Sequence, residues 1–504
     1  MTPEKTARLI TKYPKMFPED FWFEYSDGWY DLTDNLCSQI QSYVDENDNV
    51  KQITASQFKE KFGCYDTETE VLTKDGWKYF VDVGMNDLLA TINPSTHIME
   101  YQAPSDLISY DYSGPMYQLQ ARGVDLFVTP NHNMFWAKGN SMGAYKAGNT
   151  KIHDMEFSTP EKYFQKTKRF LKSATWVGKK ENAYTLNGWK YSANTARYNR
   201  TYTISDKTID MDNWLALLGI IVAEGCIDKR GDTVGICADN SGSEKARLEQ
   251  LAWEKIITDC GYKYAKSGLD KPAVVYNIYS QQLSKWCAKN IKHRAENKRA
   301  PDFIKELPPH QIEIFLKWLY RGDGHKSKTA NTLYTVSKGL SDDVQELILK
   351  AGYASSHVCR DQQVRNLERK KTVGDRNIVG NYDCHCINWL TNSNSFNISG
   401  KTFRDSNSYV EQWTTYSGKV YCATVPNHTL FVRRNGKGVW CGNSLRAYID
   451  PEDGESDIDD MIYQFTRTAE KVSETTCESC GKAGKIITKN HWLRCSCSTC
   501  AEEK

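Results

Sequence analysis

The spacing of apolar positions changes character several times along this chain. In the first 63 residues aromatics crowd together at Phe21, Trp22, Phe23, Tyr25, Trp29 and Tyr30, and a helical repeat then predicts a helix over Leu32–Val44. From Cys64 to about residue 140, short β-rich runs alternate with Gly and Asn turns: Glu70–Thr73, Trp77–Val81, Asp87–Ile92, Met116–Ala121 and Leu126–Thr129. Residues 151–200 are basic and aromatic. From about 209 to 400, amphipathic helical patterns alternate with strands. The β-like texture returns over 418–443, and after Ser444 the style of the opening segment resumes. This nesting predicts a multidomain chain with segments 1–63, 64–200, 201–400, 401–443 and 444–504. The second and fourth segments form one all-β unit, split by an α/β unit and flanked by small α+β pieces.

The α/β stretch contains a duplication. Trp214–Gly225 reads as an apolar helix closing on Ala223-Glu224-Gly225, followed by a strand over Thr233–Ala238 and a helix over Ser243–Cys260 that stops at Gly261-Tyr262. Phe315–Gly324 is a second apolar helix closing on Gly322-Asp323-Gly324. It is followed by a strand over Thr332–Ser337 and a helix over Ser341–Lys350 that stops at Gly352-Tyr353. Glu224 and Asp323 are 99 positions apart in this repeat, which predicts two pseudo-symmetric halves.

Composition narrows the classes little further. Lys and Arg number 65 against 63 Asp and Glu, a net charge of +2 in 504 residues, so any basic surface is local. No apolar run reaches the length of a bilayer-spanning helix, and the charged N-terminus lacks the apolar stretch of a signal peptide. The expectation is a cytoplasmic protein with no membrane partner. Sixteen cysteines in so large a chain point to metal binding and thiol chemistry rather than disulfides.

Four short stretches stand out for their chemistry. Cys64-Tyr65-Asp66-Thr67-Glu68 opens the β-rich texture, and Thr129-Pro130-Asn131-His132 gives a Thr-x-x-His pattern. Near the end come Val420-Tyr421-Cys422-Ala423 with Pro426-Asn427-His428-Thr429, and then Trp440-Cys441-Gly442-Asn443-Ser444. In this order the stretches resemble the blocks of an intein, a Hint-type protein-splicing domain, covering residues 64–443. The resemblance implies attack by the Cys64 thiol on the Gly63 carbonyl, with Thr129 holding the scissile peptide and His132 supplying a proton. It further implies transfer of the acyl group to Ser444 and cyclisation of Asn443, all without a cofactor. Many inteins carry His just before the terminal Asn, where this chain has Gly442; His428 is the candidate replacement. Cys422 stands where the family often has Asp and is a candidate for proton transfer or thiol exchange.

The repeat itself, Leu217–Gly225 and Leu316–Gly324, resembles the paired motifs of LAGLIDADG (dodecapeptide, or DOD-type) homing endonucleases. That resemblance implies that Glu224 and Asp323 bind Mg²⁺ at scissile phosphates, with Lys298 stabilising charge or orienting water. The implied partner is double-stranded DNA at the intein-less host gene, and the excised protein is expected to be monomeric. Lys166, Lys168, Arg169, Lys172, Lys179 and Lys180, with Arg365, Arg369, Lys370, Lys371 and Arg376, are candidates for phosphate contacts. Val222 and Trp318 depart from the motif.

Removing 64–443 joins Phe58–Gly63 to Ser444–Ile449 in a plausible strand. A helix follows, with Ile458, Ile462, Phe465, Ala469 and Val472 on one face. Cys477, Cys480, Cys497 and Cys500 form paired C-x₂-C knuckles, the spacing of a structural Zn²⁺ site, with Cys495 a poorer alternative ligand. The spliced product resembles small phage-encoded zinc-ribbon proteins, and the sequence names no partner for it. The rival expectation is a zinc-ribbon nucleic-acid-binding protein carrying a splicing-inert or cleavage-only insertion.

Overall fold

The computed structural model describes residues 1–19, 21, 27–47, 58–93, 96–104, 106–130, 132–139, 151–194, 199–228, 230–326, 330–362, 364, 372–373, 376–377, 380–390, 393–400, 409–442, 444–449, 462, 465, 468–469, 472, 475–477, 479–489 and 492–502. Asn443, Ile458 and the basic residues Arg365, Arg369, Lys370 and Lys371 lie outside them. The architecture is multidomain, with mostly small antiparallel sheets plus helices.

The all-β unit joins distant parts of the chain. Its six-stranded sheet runs Lys437–Gly442, Thr429–Arg434, Glu70–Thr73, Leu89–Ile92, Met99–Gln102, with Gly76–Tyr79 also paired to Glu70–Thr73. Val71 lies opposite Val432, and both are fully buried. Two long strands, Asp106–Gln120 and Val410–Thr424, pair along their whole length, and Asp125–Val128 completes that sheet. A further sheet places Lys168–Leu171 between Met134–Lys138 and Ser395–Ile398. None of these strand orders returns on itself to close a barrel among the described residues.

This last sheet corrects two of the DNA-contact expectations. Lys168 is fully buried and paired with Glu411, and Lys172 is buried on the Gly123 carbonyl. Burial pushes the Lys172 ammonium down to about 7. Neither ammonium lies at the surface, whereas Lys166, Lys179 and Lys180 are exposed.

The predicted duplication is present. Helix Met211–Glu224 leads into a sheet of order Gly225–Ile227, Thr233–Asp239, Ala273–Tyr279, Ala265–Ser267. Helix Pro309–Asp323 leads into one of order Gly324–Lys326, Ala330–Thr335, Cys384–Leu390, Ala354–Arg360, the same topology. Side-chain caps fix where three of the helices start. Asp210 accepts from the Asn213 N–H, Ser243 from Ala246, and Ser337 from Leu340.

The flanking segments share a small core of their own. Helices Pro3–Lys12 and Tyr30–Glu46 bury Leu9, Tyr13, Phe17 and Ile40 with Ile462 from beyond the β unit. The described residues of the predicted C-terminal helix (Ile462, Phe465, Thr468, Ala469 and Val472) are helical. Strands Phe58–Gly63 and Ser444–Ile449 pair antiparallel here, with Gly63 opposite Ser444.

Candidate functional site

Around Cys64 the two ends of the β unit meet. The Cys64 N–H donates to Thr129 Oγ1 at 2.9 Å, and the Thr129 N–H donates back to the Cys64 carbonyl at 3.0 Å. The thiol is fully buried, with Tyr110 Oη 3.8 Å away, in a cluster with Met116, Val420 and Cys422. Tyr65 exchanges backbone hydrogen bonds with Tyr421, at 2.8 and 2.9 Å, which brings the 420–424 stretch alongside.

Thr129 also anchors the turn that presents His132, whose N–H donates to the Thr129 carbonyl at 3.0 Å. The buried imidazole lies edge-on to the Tyr65 ring, centroids 4.4 Å apart, and its Nε2 is 3.1 Å from Cys441 Sγ. Burial pushes the Cys441 thiol up to about 12, so it stays neutral there. The Tyr65 hydroxyl donates to the Gly442 carbonyl at 2.9 Å. His132 therefore sits between the Cys64 end and the strand that leads into residue 443.

Gly442 has a steric cause. A Cβ at that position would overlap the Asn133 carbonyl, so no side chain, histidine included, fits without moving the backbone. His428 lies at the same end of that strand pair as Gly442, on the neighbouring strand. It is exposed, has a left-handed φ of 55°, and precedes Thr429, the register partner of Gly442. Tyr65, Tyr110 and Cys441 were not among the sequence candidates. Only the position of Cys441, two residues before Asn443, gave a signal.

A second constellation forms where the two repeat helices end. They pack closely because Gly219 lies against Trp318 and the Phe315 carbonyl, and Gly322 against Ala223. Trp318 is thus accommodated by the small residue opposite it, with Arg321 over its ring at 4.3 Å. The Glu224 side chain reaches across to Gly322. Burial and the neighbouring Glu224 raise Asp323 to about 7, and burial raises Glu224 as well. Lys298 Nζ donates to the Val222 and Ala223 carbonyls at 2.7 and 3.0 Å. Burial lowers its pKa, against the pull of Asp323 and Glu224. Two hard oxygen donors that resist ionising side by side are a donor set that a divalent cation relieves.

The third constellation is sulfur. The Sγ atoms of Cys477, Cys480, Cys497 and Cys500 all lie within 4.8 Å of one another. The first knuckle turns at Gly481, with its N–H on the Cys477 carbonyl at 2.8 Å. Four converging thiols suit a tetrahedral Zn²⁺. The Cys495 side chain lies outside the described residues.

No protein-family model matches the chain. It is 25% identical over 475 residues to the ATP-dependent Clp protease proteolytic subunit of Chlamydomonas moewusii, covering 76% of this chain and 45% of that protein. It is 24% identical over 440 residues to the DNA-directed RNA polymerase subunit beta C-terminal section of Stigeoclonium helveticum, covering 76% and 37%. Against the ribonucleoside-diphosphate reductase subunit beta of Aquifex aeolicus it is 23% identical over 461 residues, covering 85% and 57%. The chain thus spans less than half the length of the first two. Structural neighbours include I-DmoI in complex with DNA and Ca, at 15% identity and a TM-score of 0.25, covering 36% of this chain and 84% of that one. They also include the AceL NrdHF class 3 split intein, at 14% identity and a TM-score of 0.18, covering 29% and 77%.

Proposed function

We propose that residues 64–443 are an intein with a Hint-type splicing unit, which excises itself and joins Gly63 to Ser444, and that the nested repeat is a LAGLIDADG-type DNA endonuclease. The observation that carries the splicing reading is the grip of Thr129 on the Cys64 N–H, beside His132 and the approach to residue 443. The nature of the curated relatives supports it. A protease subunit, a polymerase section and a reductase subunit share no activity, yet each resembles about three quarters or more of this chain. A segment common to such hosts behaves as an insertion.

In this reading the Cys64 thiolate attacks the Gly63 carbonyl carbon. The carbon–sulfur bond forms, the Gly63–Cys64 peptide bond breaks, and the freed nitrogen takes a proton in the turn that holds Thr129 and His132. The Ser444 hydroxyl then displaces the Cys64 thiol from that carbonyl, with Cys422 beside Cys64 to take part in proton movement. The Asn443 side-chain amide attacks its own backbone carbonyl and releases the Ser444 amine. Tyr65 steadies the Gly442 carbonyl just upstream, and His428 is the candidate proton donor at this end. The Ser444 amine finally captures the ester, leaving an amide. Because Gly63 and Ser444 are register partners in the flank ladder, this transfer joins groups that the flanks already hold together.

For the endonuclease, Glu224 and Asp323 would hold Mg²⁺ at the DNA backbone, where the ion supplies Lewis acidity and an activated water. Lys298, between the carboxylates and the helix carbonyls, orients that site. The flanking residues form a small host protein whose four thiols hold Zn²⁺. Expression of the whole chain followed by intact-mass analysis tests the splicing reading, with Cys64→Ala expected to abolish ligation and N-terminal cleavage. A plasmid carrying the uninterrupted Gly63/Ser444 codons tests the nuclease: it should be cut in Mg²⁺ by the native protein and not by a Glu224→Gln, Asp323→Asn variant.

A further inference from the structure

We propose that helix Lys338–Lys350, although it belongs to the endonuclease repeat, is a structural part of the splicing unit, with Arg433 the positioning residue through which it holds the strands that lead to Asn443. The inference rests on the splicing reading above and concerns how the two activities are joined.

The helix faces two cores at once. Leu340, Val344, Leu347 and Ile348 pack in the core of the repeat, while Leu349 packs with Leu72, Phe431 and Trp440 of the β unit. Ten of its thirteen residues are buried, among them Asp343, Gln345, Glu346 and Lys350. Charged side chains persist at such positions only with partners, and here the partners come from both units. Asp343 binds Arg299 and Lys305 of the repeat, at 2.6 and 2.9 Å. Glu346 accepts from Tyr101 of the β unit at 3.0 Å, and Lys350 lies over the rings of Tyr101 and Trp176.

Arg433 is the centre of this junction. It is 1% exposed and lies on strand Thr429–Arg434. Its guanidinium bonds Glu70 twice, at 2.6 and 2.7 Å, and stacks on Trp77 at 4.1 Å. The same guanidinium reaches Asp342 at 2.7 Å and Gln345 at 2.8 Å, both on the helix. Gln345 in turn donates to the Gly436 carbonyl at 2.7 Å, in the turn between strands Thr429–Arg434 and Lys437–Gly442. The His357 N–H donates to that carbonyl too, at 3.1 Å. The second of those strands carries Cys441 and Gly442. At the N-terminus of the helix, its N-cap Ser337 donates to the Lys298 carbonyl at 2.6 Å. One helix thus touches the nuclease lysine and the strand pair of the splicing centre.

Removing residues 201–400 would strip Arg433 of one carboxylate and open the core around Leu349. The units are therefore not separable along their sequence boundaries. In the full chain, Asp342→Ala is expected to slow formation of the ligated product by about tenfold, because the buried Arg433 guanidinium loses one of its two carboxylates. Leu248→Ala, on the exposed face of helix Glu244–Asp259 of the repeat, is expected to leave that rate unchanged, and deletion of 201–400 is expected to abolish ligation. Ligation at the native rate by Asp342→Ala or by the deletion variant overturns the proposal. Should the full chain fail to splice, the splicing reading falls, and hydrogen exchange in a Cys64→Ala, Asn443→Ala precursor still decides this one. Asp342→Ala must then raise exchange across 429–442 as well as 338–350, and an effect confined to 338–350 overturns it.

Discussion

At Gly442 a backbone contact settles what the residue can be. The Asn133 carbonyl occupies the space of a Cβ, so the histidine common at this position in the resembled family has no room. Gly442→His is therefore expected to slow release of the C-terminal flank by at least about tenfold rather than speed it, read as the appearance of cleaved Ser444 termini. Asp323 gives a prediction in pH. Its carboxyl is raised from 3.8 to about 7 in the folded chain, through burial and Glu224. The folded state thus holds this proton more tightly than the unfolded one. The stability it contributes is complete below pH 4 and lost as pH rises through 7. Asp323→Asn should match the native chain at pH 4 and exceed it by about 4 kcal/mol at pH 8 without metal, measured by denaturant unfolding. Mg²⁺ should narrow that gap. The residues missed in the sequence, Tyr65, Tyr110, Cys441 and Arg433, act through partners tens to hundreds of positions away. Lys168 read as a surface cation because charge alone does not reveal that Glu411, 243 residues on, buries it.

The elements were more legible than the contacts. Apolar runs closing on Gly-rich ends placed the two repeat helices; the first is buried on every side from Trp214 to Ala223, so its run is continuous rather than periodic. The start of helix Lys338–Lys350 was read three residues late, since Ser337 caps it and the polar Lys338 hides the first turn. Its second buried face was not legible at all, because Gln345, Glu346 and Lys350 look like solvent positions. The knuckles were legible from spacing alone. A chelator should release a single Zn²⁺ and raise amide exchange over 475–502, leaving the β unit protected. Cys477→Ser should reproduce that pattern. Loss of protection across 64–138 on chelation would contradict the separation of the four-thiol cluster from the β unit.

At the scale of the whole molecule, the flanks form one small core around Leu9, Ile40 and Ile462 and pair Gly63 with Ser444. The intervening 380 residues enter and leave at that pair. The nesting of textures pointed to flanks that belong together; the joining of the two inner units through Arg433 was not legible, because it depends on packing between segments the chain keeps apart. Expression of the full 504-residue chain under reducing conditions, followed by intact-mass analysis, tests the central claim most directly. Self-excision predicts two species: a ligated protein of 124 residues whose fragments span Gly63-Ser444, and a free protein of 380 residues ending at a cyclised Asn443. Recovery of the full-length precursor alone, or of cleaved flanks that are never joined, would contradict it.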